Sequence, residues 1–414
     1  MKMAKELIGA SAVIACDKHF SVIKNGGILF EGEKIIKVGK FDELKSPKIN
    51  SRFCESCVIT PAFINPHIHF EFSANAATLK YGSFGAWLDS VMAHRGEFFS
   101  DEGAMKNAVS EVLRTGTGSV GAISSAGADL EILAQSPLKT MYFNEIMGSD
   151  KSKISLVRED FARRVAKSKE KENANFKSAI ALHSPYSLHN ELAEYALNLA
   201  RCEKMLVSTH LLESREELQW LDYQRGYFKD FFRKYFGAES ASPFYTKREF
   251  MEQFSQVKTL FVHCLYLNND DFEFLKRLDS AIVSAPRSNR LLNNRYFDFF
   301  KAKDFGFKLI LGTDGKSSNN SLSLLDEART ALFAYSRFDV DALSKEIMLG
   351  ITRNAAKYFC FNNGSLERGK ASDFGIFYVK DIEKSSQITL DFLLHAKEVE
   401  SLYINGKRIE IEND

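Results

Sequence analysis

His67 and His69 stand one residue apart in PHIHF. In an extended strand both imidazoles project from one face and can reach the same ion. Three further groups close apolar runs elsewhere: His210 ends MLVSTH, His263 ends TLFVH and Asp314 ends KLILGTD. Any one of these alone reads more readily as a satisfied core histidine or a capping aspartate. Their recurrence at strand ends gives them weight together. Three imidazoles with one carboxylate form a donor set for one divalent metal ion, Zn²⁺ or Fe²⁺, with a coordination position left for water. An ion so held lowers the pKa of its water toward neutrality. Glu213 lies three residues past His210 in THLLES and can enter the same cavity. In a partly dry site its proton affinity rises into the range useful for proton transfer; the plainer alternative is the start of a solvated helix, SREEL. A metal-activated nucleophile beside a proton shuttle suits hydrolysis at an electron-poor carbon. Phosphoryl transfer fits less well, because the chain has no Gly-rich phosphate cradle.

Such groups need a scaffold that brings strand ends together. From Ile8 to Val58 the pattern is short β-type runs broken by Gly and Asn turns. From Pro61 to about Cys360, apolar strand-like runs alternate with longer amphipathic stretches, the texture of β/α units. The strand candidates are AFINPHIHF, GTGSVGAIS, LKTMYFNEI, SAIALHSPY, MLVSTHLLE, TLFVHCLYL, AIVSAPRSN and KLILGTDGK. They predict an α/β fold, a (β/α)8 TIM barrel, in which catalytic groups sit at the C-terminal strand ends. Beyond Cys360 the β texture returns, so both chain ends are expected to form a small composite β-sandwich domain. The expected boundaries are 1–60 with 366–414 for that domain and 61–365 for the barrel. Between Ser214 and Val257 the chain reads as helical and unusually aromatic, either core-facing or a lid.

Composition narrows the classes. A chain of 414 residues with 45% hydrophobic content should hold two or three units around a sizeable core. Lys plus Arg total 55 against 54 for Asp plus Glu, so no broad field for nucleic acid exists. Six scattered cysteines do not make a disulfide framework and point to a reducing, cytoplasmic setting. Cys54 and Cys57, a lone C-x-x-C, read as strand residues. The first residues outline a weak signal peptide ending at Cys16, but an N-terminal strand is the better reading. No apolar run is long enough to span a membrane. The expected partner is a small molecule; assembly stays open, with a homodimer as the candidate.

The run of motifs PAFINPHIH, HSPYS, THLLE, VHC, SNRLL, GTDGKSSNN, TRNAAK and GSLERGKASDFGIF resembles the amidohydrolase superfamily over nearly the whole chain. It is most similar to the branch of S-adenosylhomocysteine and methylthioadenosine deaminases, guanine deaminase and the triazine chlorohydrolases. The resemblance implies one ion held by His67, His69, His210 and Asp314, proton handling by Glu213, and His263 positioning the attacking water, with Asp314 taking its proton. Relatives with two ions bridge them through a strand-four lysine; SAIALHSPY has none, which implies a mononuclear site. His183 matches a position that contacts the base, Trp87 and Glu97 fall near those that cover it and bind ribose hydroxyls, and Ser318 falls in the substrate-facing GTDGKSSNN run. Two departures stand out: Ala62 replaces a Gly, and Asn293, Asn294 and Arg295 replace a Gly after SNRLL, which puts that loop's shape in question. Within the branch the chain is most similar to the aminodeoxyfutalosine deaminases, whose nucleoside substrate bears a carboxyphenyl ketone arm. Arg158 is then a candidate partner for its carboxylate. The alternatives are deamination of S-adenosylhomocysteine, methylthioadenosine or guanine, or triazine dechlorination.

Overall fold

The structure, a computed structural model, describes residues 4–74, 77–238 and 240–411. Four strands open the chain: β1 (Lys5–Ile14), β2 (Val22–Glu31), β3 (Lys34–Lys40) and β4 (Asn50–Pro61). Seven more follow: β5 (Phe63–Ile68), β6 (Thr117–Ser124), β7 (Lys139–Ile146), β8 (Phe176–Leu182), β9 (Val207–Leu211), β10 (Thr259–His263) and β11 (Ser280–Val283). These seven pair in chain order, all parallel. β6 and β7 are buried along their whole length, as strands covered on both faces must be.

The eighth expected run, KLILGTD, closes the barrel without forming a regular strand. Ser284 N–H donates to Ile310 O at 2.9 Å and Gly312 N–H to Ser284 O at 3.0 Å, which ties it to the end of β11. Asp314 N–H donates to His67 O at 3.1 Å, which ties it to β5. The ligand candidates at both ends of the ring are thereby neighbours.

The chain returns through β12 (Phe374–Tyr378), β13 (Val399–Ile404) and β14 (Lys407–Arg408). These join the opening strands in one continuous sheet of order β14-β13-β12-β4-β1-β2-β3, so the composite unit is built from both chain ends as the β texture implied. Ile8, Val13, Ile28, Phe30, Ile59, Phe374 and Tyr403 share its core. The tail also serves the barrel. Its helix Ile388–His395 buries Phe392 and Leu393 against the helices Leu324–Ala334 and Val340–Gly350. A buried ion pair, Lys139 Nζ to Asp373 Oδ2 at 2.6 Å, fastens β7 to the tail, with Asn363 and Asn405 bonding the same carboxylate. Removing one partner of such a pair costs about 3–5 kcal/mol.

The apolar run Leu7 to Ile14 lies within β1, as expected. Cys54 and Cys57 lie on β4 as free thiols. Among the described residues no helix is long and apolar enough to cross a membrane. The loop after SNRLL is shaped by Asn294, which takes the left-handed position (φ 51°) past the helix Pro286–Asn293 and donates its Nδ2 to Gly82 O at 2.9 Å. Asparagine tolerates that conformation, so it replaces the glycine without misshaping the turn.

Candidate active site

The C-terminal end of the barrel gathers the strand-end residues. His67 and His69 come from β5, His210 from β9 and Asp314 from the closing run; ligand atoms of all four lie within 4.8 Å of one another. His67 Nε2 is 3.3 Å from His69 Nε2 and 3.2 Å from His210 Nε2. Asp314 Oδ1 is 3.5 Å from His67 Nε2 and 3.3 Å from His69 Nε2. Four ligands at about 2.0–2.1 Å from a tetrahedral ion are about 3.3 Å apart, so the spacing fits one divalent ion. The protonation states fit too. Burial pushes His69 down to about 4, helped by His67, and holds His210 well below the ordinary imidazole value. Burial alone would raise Asp314, but its bond with His67 and the neighbouring His69 and His263 hold it well below the carboxylate range. His210 Nδ1 lies 2.6 Å from His183 O, which makes Nδ1 the donor and leaves the Nε2 lone pair for an ion.

Three donors fix Asp314 in turn: Ser288 Oγ and Ser318 Oγ, each 2.8 Å from Oδ2, and Gly315 N–H, 2.9 Å from Oδ1. Both Asp314 (φ 63°) and His263 (φ 70°) hold left-handed backbone angles. Non-glycine residues there cost about 1–3 kcal/mol each, and the strand ends turn sharply to aim these two side chains into one space.

Beside the cage, Glu213 Oε1 lies 3.6 Å from His263 Nε2, which is 3.9 Å from Asp314 Oδ2. Burial, reinforced by Asp314, raises Glu213 well above the usual carboxyl range, which favours the protonated form that a proton donor needs. Its turn is braced from beneath by buried Glu217, whose carboxyl accepts Leu212 N–H at 2.8 Å and Glu213 N–H at 3.0 Å. His263 Nδ1 is 2.8 Å from Asn289 Oδ1 and acts as the donor. Its Nε2, buried and without a hydrogen-bond partner among the described residues, then offers a lone pair toward Glu213 and Asp314.

A cavity of about 470 Å³ opens over these groups, large enough for a nucleoside with a substituent. Its floor is His69, Glu145, His183, His210, Glu213 and Asp314. Its roof is apolar except for Arg95: Trp87, Leu88, Val91 and Met92 from the helix Phe84–Phe98, and Phe231, Phe232 and Phe236 from the helix Tyr227–Phe236. The aromatic stretch 214–257 is therefore core and wall at once, with Trp220 and Phe228 wholly buried and Phe236 49% exposed at the cavity.

Of the outer candidates, His183, Trp87 and Ser318 line this cavity. His183 Nδ1 is taken by Ser184 and Ser187, Trp87 Nε1 by Ser317 O at 2.8 Å, and Ser318 Oγ by Asp314. Glu97 and Arg158 do not. Glu97 is exposed and pairs with His94, while Arg158 stacks on Tyr195, 4.4 Å from its ring centre, on an outer helix. Lysine on strand four needs a correction as well: β8 begins two residues before SAIALHSPY and includes Lys177. Lys177 sits six residues before His183, about 20 Å along the strand at the far end of the barrel, so no bridging lysine reaches the cage.

Three residues were missed. Glu145, at the end of LKTMYFNEI, is buried at the floor; Ser125 Oγ bonds one oxygen, and Oε1 has no partner among the described residues. Asn289 orients His263, and Arg95 lines the roof. Glu145 closes an apolar strand like the ligands do, which is the signal that could have found it.

The Amidohydrolase family description matches residues 58–409. The chain belongs to this family. It is 38% identical over 414 residues to an adenosine deaminase of Helicobacter pylori, covering 98% of this chain and 100% of that protein. It is 35% identical over 392 residues to an aminodeoxyfutalosine deaminase of Nitratiruptor sp., covering 94% and 96%. The crystal structure of Helicobacter pylori aminofutalosine deaminase in complex with methylthio-coformycin matches at a TM-score of 0.93 and 36% identity, over 98% of this chain and 100% of that one. The family and barrel that the motifs implied are thus borne out.

Proposed function

We propose that this amidohydrolase removes the 6-amino group of an adenine nucleoside by hydrolysis, with aminodeoxyfutalosine as its substrate in the futalosine route to menaquinone. The observation that carries the reading is the convergence of His67, His69, His210 and Asp314 on one point, with Glu213 and His263 facing the same space. A bound divalent ion, Zn²⁺ or Fe²⁺, supplies the Lewis acidity that makes water a nucleophile near neutral pH.

The side chains do the rest. His263 Nε2 accepts a hydrogen bond from the attacking water and holds it in line with C6. Asp314 accepts the water's proton, and Glu213 gives its own proton to N1, drawing electrons from C6 as the C–O bond forms. Glu213, now ionised, relays the proton held by Asp314 to the amino group; the C–N bond breaks, ammonia leaves, and the C6 hydroxyl returns its proton to Glu213 as the hypoxanthine carbonyl forms. His183, its Nδ1 fixed by two serine hydroxyls, presents Nε2 to the base. Trp87 and the roof phenylalanines supply a wall that suits an aromatic 5′ arm. Six free cysteines support a cytoplasmic setting.

The test is ammonia release by metal-loaded protein from aminodeoxyfutalosine and from S-adenosylhomocysteine, side by side. Preference for the first is expected. Ready deamination of the second with none of the first would overturn the substrate.

A further inference from the structure

Arg95 is the sole Lys or Arg among the described residues that line the cavity. The helix Phe84–Phe98 turns Trp87, Leu88, Val91 and Arg95 toward the same side, at positions i, i+1, i+4 and i+8. Trp87 is anchored to the loop after Asp314 by its bond to Ser317 O at 2.8 Å. Eight residues further on, at 1.5 Å each, Arg95 stands about 12 Å along the helix axis. That span carries from the reacting end of a purine past its ribose.

The guanidinium is ready for a ligand. It rests over Phe99 at 5.0 Å from the ring centre, which orients it. Glu97, the acid nearest in sequence, is turned away to His94, and among the described residues no carboxylate forms an ion pair with Arg95. Val91, Phe231 and Phe232 give the same cavity apolar walls. A single Arg among apolar walls selects a molecule that carries an anion beside an apolar part.

We propose that Arg95 is the specificity residue of the cavity: it pairs with a carboxylate carried at the far end of the nucleoside's 5′ substituent. This rests on the deaminase reading above. It gives the substrate class a polarity, with the 6-amino group at the floor and the anion under the helix Phe84–Phe98.

The test compares wild type with Arg95→Gln and Arg95→Lys, both metal-loaded. The readout is the ratio of kcat/KM for aminodeoxyfutalosine to that for 5′-methylthioadenosine, which lacks the carboxylate. A charged hydrogen bond of this kind makes the ratio fall about 10- to 100-fold in Arg95→Gln, chiefly through KM, and less in Arg95→Lys. The methyl ester of aminodeoxyfutalosine should give wild type the same loss and Arg95→Gln little further loss. An unaltered ratio overturns the proposal, as does an equal loss on both substrates. Calorimetry with the deaminated product of aminodeoxyfutalosine reads the contact without turnover. Arg95-dependent binding in a protein that fails to deaminate sinks the reaction and keeps the anion site; equal binding by wild type and Arg95→Gln sinks the anion site.

Discussion

At the floor of the cavity three of the candidate residues are held by further named bonds, whereas the roof is held mainly by packing. His210 leans on the His183 carbonyl, His263 on Asn289, and Asp314 on Ser288, Ser318 and Gly315. The roof helices meet through aromatic contacts such as Phe84 with Phe228, at 6.3 Å between ring centres. One polar knot joins them: Asp89 accepts the hydroxyls of Tyr227 at 3.1 Å and Tyr235 at 2.9 Å. Strand ends fix reacting atoms within narrow limits, and a packed wall can be reshaped for another substrate without moving them. The floor should then govern kcat and the roof KM.

The sharpest way to break this division is Glu213→Gln. It removes the transferable proton and should lower kcat about 10²- to 10⁴-fold, with metal content unchanged by elemental analysis. Full turnover in that variant sinks the acid–base assignment. Stripping the ion with a chelator should abolish activity and lower Tm, because an ion that binds only the folded chain stabilises it by mass action. Recovery on adding Zn²⁺ or Fe²⁺ separately tells which ion the cage prefers; activity and Tm that survive chelation would show the cage is not a metal site. Asn289→Ala frees the His263 ring and should cost about tenfold in kcat with KM held, since a supporting bond rather than a reacting group is lost. Asp89→Ala should do the reverse, raising KM a few-fold by loosening the roof. If kcat falls in parallel, floor and roof are mechanically one unit.

The two regions were not equally legible in the sequence. Most candidate ligands end an apolar run, and barrel geometry forces such ends to one place, so type and position together picked out His67, His69, His210, His263 and Asp314 as candidates that the structure brings close. The eighth strand was readable as a run, although it closes the ring through isolated bonds. Roof residues have no such rule. Glu97 and Arg95 are two residues apart on one helix, about 200° around its axis, so an approximate alignment chose the face that points away. Arg158 failed for a related reason: its helix packs outside the barrel, and the arginine that reaches inward is Arg164, which donates to Glu145 O at 2.7 Å. Spacing along a helix has to be right to the residue, whereas spacing along a strand end is corrected by the barrel.

The smallest expected effect comes from beneath the floor. Burial, against the hydrogen bonds from Leu212 and Glu213, pushes Glu217 up to about 8 from an ordinary value of 4.5. Below pH 4.5 the carboxyl is protonated whether the chain is folded or not. As pH rises from there, the unfolded chain loses the proton and the folded one keeps it, so this group's contribution to stability is lost progressively until the pH passes about 8. Glu217→Gln cannot titrate. It should start less stable at about pH 5, having given up one acceptor for a backbone N–H at a cost of about 1 kcal/mol, and should then lose less Tm than wild type between about pH 5 and pH 8. A roof variant, Phe236→Ser, adds no titrating group and should shift Tm by the same amount at both pH values. Equal pH slopes for wild type and Glu217→Gln would mean that the floor is braced by an ionised carboxylate, and that its rigidity comes from charge rather than from a neutral bond.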